Sequence, residues 1–151
     1  MTFYLMHLIL GFFASISFAV LFHVPKKHLV TSGLVGGMGW TVFVGVKASM
    51  GAFIAGFAAA CFIGLLADIC ARKFHQAATV YIIPGIICLV PGAGMYYTTL
   101  YLINGEMSMA ADKCVETLMM AGCISVGLLI EESIFRIGAS LPNRGKKKNI
   151  F

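Results

Sequence analysis

Side chains able to act on a solute are sparse in this chain: six Asp and Glu, four His and five Cys among 151 residues. The cysteines, Cys61, Cys70, Cys88, Cys114 and Cys123, lie in or at the ends of apolar segments. They form no Cys-x-x-Cys pair and have no histidine at metal-ligand spacing, so they read as small packing residues and no metal site is expected. His23, His28 and His75 lie near Lys or Arg at the edges of apolar runs, and only His7 falls inside one, where a lone histidine reads as hydrogen-bonded packing. An enzyme would have to use Asp68, His75 or the Glu131-Glu132 pair, and none of these is spaced as nucleophile and base. The sequence reads as a non-enzyme without a cofactor.

Glu116 has a different context, about one turn into a long apolar run. An ionisable side chain within a membrane span is costly and suggests function; here it would bind a proton or a solute amine, or it is a helix-start residue still reached by water. The backbone offers a second kind of chemistry. Residues Tyr81 to Tyr97 carry two Pro-Gly pairs, Pro84-Gly85 and Pro91-Gly92, seven residues apart, with Gly94 following. Each proline lacks an N–H, which in a continuing helix leaves the carbonyls of Val80 and Ile87 without their usual donors. Hydrocarbon supplies no replacement, so a helix broken in this way must face protein or a wet cavity. Half-helix N-termini favour anions, and unwound carbonyls receive cations or donors. Pro84, Gly85, Pro91, Gly92, Gly94, Tyr96 and Glu116 are therefore the candidate substrate-binding residues. Tyr81, Tyr96, Tyr97 and Tyr101 could bring hydroxyls to the break, the last three serving alternatively as an interfacial aromatic belt.

The elements that must hold these residues are membrane helices. Hydrophobic residues make up 60% of the chain and charged residues 11%, far below the quarter usual in soluble domains. The first span is expected over Phe3 to Phe22, a membrane helix rather than a signal peptide, since it has no positive start and no clear cleavage site. Leu29 to Cys70 runs apolar for 42 residues with Lys47 its only positive charge, enough for two crossings that turn at Gly45 to Gly51. Gly33 and Gly37, then Gly51, Ala55 and Ala59, and Gly56, Ala60 and Gly64 repeat at four-residue spacing, predicting a tight hairpin. Asp68 and Arg72 suit an interfacial ion pair, as do Glu132 and Arg136. The fourth span covers about Ala77 to Asn104, an acidic loop follows to Lys113, and the fifth runs to Phe135.

With five crossings, Lys26, Lys27, Arg72, Lys73, Arg136, Arg144, Lys146, Lys147 and Lys148 fall on one side and only Lys47 and Lys113 on the other. This bias places the N-terminus outside and the C-terminus in the cytoplasm. A Pro-Gly segment that never crossed would reverse the tail and erase the bias, so the count favours a crossing. The expected organisation is an all-α integral membrane protein of about five transmembrane helices, the fourth broken by both Pro-Gly pairs. Residues 1–140 form a single transmembrane domain and 141–151 a basic cytoplasmic tail that touches anionic lipid. The sequence has no phosphate-binding loop, so work would draw on a gradient or a partner.

The run Ala77-Ala78-Thr79-Val80-Tyr81, then Ile83-Pro84-Gly85-Ile86-Ile87 and Leu89-Val90-Pro91-Gly92-Ala93-Gly94-Met95-Tyr96, resembles the signature of the threonine/serine exporter family. In particular it resembles the small membrane subunit that corresponds to the C-terminal transmembrane half of full-length exporters. The resemblance implies a subunit of a gradient-driven secondary exporter in a bacterial inner membrane. The cargo it implies is threonine and serine or, as in two-subunit relatives, a dicarboxylate such as succinate. It also implies a larger membrane subunit of the same family as partner. Self-association stays open, and the alternative is a non-transporting assembly subunit that scaffolds the partner.

Overall fold

A computed structural model describes residues 2–140, with side chains to 137. The expected basic tail at 141–151 lies outside the described residues. Uninterrupted apolar sequence becomes helix here because helix satisfies its own backbone where solvent cannot. Three helices follow from the first half of the chain: α1 over Thr2–Leu21, α2 over Leu29–Met50 and α3 over Ala52–Phe74. Val24 and Pro25, followed by a 3-10 turn at Lys26–His28, separate α1 from α2. The fourth segment is split into α4, Thr79–Ile86, a 3-10 turn at Ile87–Leu89, and α5, Gly92–Ile103. The final helix α6 covers Met107–Ser140, 34 residues.

Four helices, α1, α2, α3 and α6, are long and apolar enough to cross a membrane. The segments Thr79–Leu89 and Gly92–Ile103, bent by 46° relative to one another, add a fifth if they form one span. The chain is thus an all-α membrane bundle. Its core joins Val35 and Phe43 of α2, Ala55, Ala59, Ala60 and Ile63 of α3, Leu89, and Met120 and Ile124 of α6.

Three local expectations need correcting. The α2–α3 turn is a single residue, Gly51, at φ +87°, a conformation that favours glycine, while Gly45 remains inside α2. The loop expected from Asn104 to Lys113 is only residues 104–106. There Gly105 at φ +79° donates to the Leu102 carbonyl and Glu106 N–H donates to Tyr101, a paired closure that ends α5 and lets α6 begin two residues later. Glu116 consequently sits in the third turn of α6, not the first.

The small-residue faces also serve other partners than predicted. Gly33 and Gly37 pack on α1, where added side chains would meet Ile16, Phe12 and the Leu8 carbonyl. Gly56 and Gly64 pack on α6, against Met120 and Glu131. Within the α2–α3 hairpin, Gly39 gives way to Ile63. In α1, His7 accepts a hydrogen bond from the Trp40 indole at 3.2 Å, the packing role expected of it.

Candidate solute site at the helix break

The two Pro-Gly pairs have different local outcomes. Pro84 and Gly85 are buried inside α4, which continues through them to Ile86. The carbonyl that Pro84 frees, that of Val80, accepts a hydrogen bond from the Ser32 hydroxyl of α2 at 3.3 Å. Gly85 allows α4 to touch α2: a side chain there would press on Val35 and Ile63, and one at Gly36 would come within 3.1 Å of the Gly85 Cα. Nearby, Tyr81 and His28, both buried, share a hydrogen bond of 2.9 Å that ties the start of α4 to the start of α2.

The chain turns at the second pair. Val90 is extended (φ −58°, ψ 127°) and Pro91 adopts φ −77°, ψ 57°, while Gly92 N–H reaches back to the Val90 carbonyl at 2.8 Å. These values describe an inverse γ-turn centred on Pro91. The Ile87 carbonyl, which Pro91 would have left free in a continuous helix, accepts from Val90 N–H at 3.3 Å. Helix α5 then starts afresh, and none of its residues is fully buried.

This turn borders a cleft of about 460 Å³. Its floor is the break itself, Leu89 to Gly94; its walls are Trp40 and Phe43 of α2 and Tyr97 and Tyr101 of α5. Three charged groups line it: Lys47 from the last turn of α2, and Lys113 and Glu116 from α6. Lys113 Nζ donates to Glu116 Oε2 at 2.6 Å, and both side chains remain partly exposed. Lys47 Nζ lies 5.7 Å from the Phe43 ring centre, without an ion-pair partner among the described residues. With two lysines against one glutamate, the lining carries a net positive charge.

The sequence profile of a family described as Threonine/Serine exporter, ThrE, matches residues 7–134, most of the chain. The chain belongs to the threonine/serine exporter family. No solved structure matches it. Membership places it in a family associated with transport, and its multi-pass helical architecture agrees with that of a transport subunit. No group of three or more His, Cys, Asp or Glu able to hold a metal occurs among the described residues. The family assignment is consistent with a non-enzymatic role.

In this exporter-family chain, four of the candidate residues meet at one place: Pro91, Gly92, Gly94 and Glu116 all line the cleft. Pro84 and Gly85 instead belong to the buried α2–α4 contact, and Tyr96 is 63% exposed and does not border the cleft. Gly92 faces open space, whereas Gly94 is packed against Thr117 of α6. In the sequence, Lys47 and Lys113 stand out only as topology markers. Their signal was available: they are the two positive residues on the minority side of the charge count.

Proposed function

We propose that the chain is a membrane subunit of a gradient-driven secondary exporter of small metabolites carrying a carboxylate. Threonine, serine and a dicarboxylate such as succinate are the candidate cargoes, and a larger subunit of the same family is the working partner. The protein sits in the bacterial inner membrane with its N-terminus outside, and the α4–α5 segment crosses as one broken span.

The observation that carries this reading is the cleft at the break, where cationic side chains gather beside the N-terminus of a half-helix. The first N–H groups of a helix lack intrahelical partners and present partial positive charge. A carboxylate at the start of α5 would meet those groups together with Lys47. The Lys113–Glu116 pair would then receive the other end of the solute, Glu116 an ammonium and Lys113 a second carboxylate. Pro91 and Gly92 shape the opening, and Gly94 holds α5 close to α6. Alternating access follows if α5, held by no fully buried residue, swings about Pro91 while α4 stays anchored in the core.

The test is export of labelled threonine, serine and succinate from preloaded cells lacking their own exporters. The cells express this chain alone or together with the larger family subunit. The expected result is export only with the pair, of at least one of the three. Absence of export in both arms would overturn the assignment of these cargoes.

A further inference from the structure

At the other end of α6 from the cleft lies a carboxyl group that the solute site does not use. Glu131 is 7% exposed, and its Oε1 is the one buried side-chain nitrogen or oxygen without a hydrogen-bond partner among the described residues. Its other oxygen rests against Gly64 of α3, where a Cβ would come within 2.5 Å of it. Gly64 has twelve residues of α3 before it and ten after, so the carboxyl meets α3 at mid-height. The α3 residues on either side of that contact, Ala60, Ile63 and Ala67, are fully buried.

Among the described residues no cation pairs with Glu131. Asp68 lies four residues beyond Gly64 on α3 and Glu132 is the next residue on α6, both carboxyls, while the Cys61 thiol of α3 donates to the Gly127 carbonyl at 3.2 Å. The three cations at this end of α3 and α6 among the described residues are engaged elsewhere, Lys73 over the Phe74 ring at 5.8 Å. Arg72 stacks on the Phe135 ring at 4.2 Å, and Arg136 pairs with Glu132 at 2.7 Å. The ion pair expected between Asp68 and Arg72 is not formed, because the Phe135 ring on α6 competes for the guanidinium. A bare carboxylate without a partner in apolar surroundings carries a large desolvation cost, and a bound proton removes it.

We infer that Glu131 is a proton-binding site in the α3–α6 seam, and that it carries the ion whose gradient drives the exporter. The coupling half of this inference rests on the transport reading above; the proton site does not. A metal cation fits poorly, since hard cations take several oxygen ligands and, among the described residues, no second buried side-chain oxygen lacks a partner. An approach for protons exists close by. A cleft of about 380 Å³, lined by Asp68, Arg72, Gln76, Glu132 and Arg136, opens one turn further along both helices. Glu116 and Glu131, fifteen positions apart, lie within the single uninterrupted helix α6, roughly 22 Å at helical rise. When Glu131 loses its proton, the apolar seam with α3 no longer suits it. A shift of α6 in response would move Lys113, Glu116 and Thr117 at the solute cleft.

The test uses the full chain with its larger subunit, purified and reconstituted in lipid vesicles, with two readouts. The first is infrared difference spectroscopy across a pH rise, which detects the carbonyl stretch of a protonated carboxylic acid. The wild type should show that band disappearing, and Glu131→Gln should lack it. Gly64→Ala, which sets a methyl group against Oε2, should shift it. The second is transport of labelled solute: Glu131→Gln should retain solute-for-solute exchange while losing transport driven by a pH gradient. A band that persists in Glu131→Gln, wild-type gradient-driven transport in that variant, or transport driven by sodium at equal pH on both sides would overturn the inference. A wild type that shows the band yet moves no solute would instead sink the transport reading and its coupling, leaving the proton site standing.

Discussion

At the scale of single residues, the cleft depends on charge at positions that could pass for topology markers. Lys47 closes α2 at its cleft end and has no carboxylate partner among the described residues, while Lys113 is already paired. An unpaired ammonium beside a helix N-terminus is the strongest attraction the cleft offers a solute carboxylate. Hydrogen bonds to charged groups contribute about 1.5–3 kcal/mol. Lys47→Met, which keeps the apolar stem, should therefore raise the KM for export roughly 10- to 100-fold with insertion unchanged, as an initial-rate series over internal solute concentration would measure. An unaltered KM would remove Lys47 from the site. Chemistry at this scale was only partly legible in the sequence. Glu116 and the glycines of the second pair could be named as candidates because an acidic residue in an apolar run and backbone freedom are local properties of the sequence. That Lys47 lines the cleft is not local, because it depends on α6 and α5 folding back beside the end of α2.

At the scale of elements, the two prolines act differently because their neighbours differ. Pro84 sits where α2 can supply a substitute donor, Ser32, so α4 passes through it. Pro91 follows the extended residue Val90, and the chain turns there. The number of Pro-Gly pairs was readable from the sequence, but which of them would bend the chain depended on a serine 48 residues away from the freed carbonyl. This exchange of donors can be measured. Ser32→Ala should destabilise the wild type by about 1 kcal/mol, the typical net worth of such a bond. In a Pro84→Ala background, where residue 84 regains its own N–H, the same change should cost almost nothing. A double-mutant cycle by reversible denaturant unfolding in detergent micelles isolates this coupling. Equal costs in both backgrounds would show that Ser32 does not replace the missing donor. Element limits followed the same logic. The ends of α1 were readable from apolar length and Pro25, whereas the start of α6 was hidden because Glu106 and Asp112 make Asn104 to Lys113 look like an acidic loop until Gly105 closes α5 so tightly.

At the scale of the whole molecule, α6 links two features of opposite character. Near its start it lines the cationic cleft, and further along it buries Glu131 against the middle of α3. The bundle as a whole was legible, since runs of twenty or more apolar residues have few alternatives to crossing helices. The pairing of those helices was not, because small residues mark a close contact without naming its partner: Gly33 and Gly37 serve α1, and Gly56 and Gly64 serve α6. The central claim is that solute passes through the cleft at the break, and Gly92 tests it most directly. Its missing side chain opens onto space, so a larger residue should fill the cleft without disturbing a packed contact. The measurement is the export rate per assembled complex for Gly92→Leu, expressed with the larger subunit and normalised to the complex recovered from membranes. The account predicts normal insertion and complex yield with export abolished. A wild-type rate per complex, whether or not the yield falls, would contradict it and leave the chain as a scaffold for a partner that carries the solute.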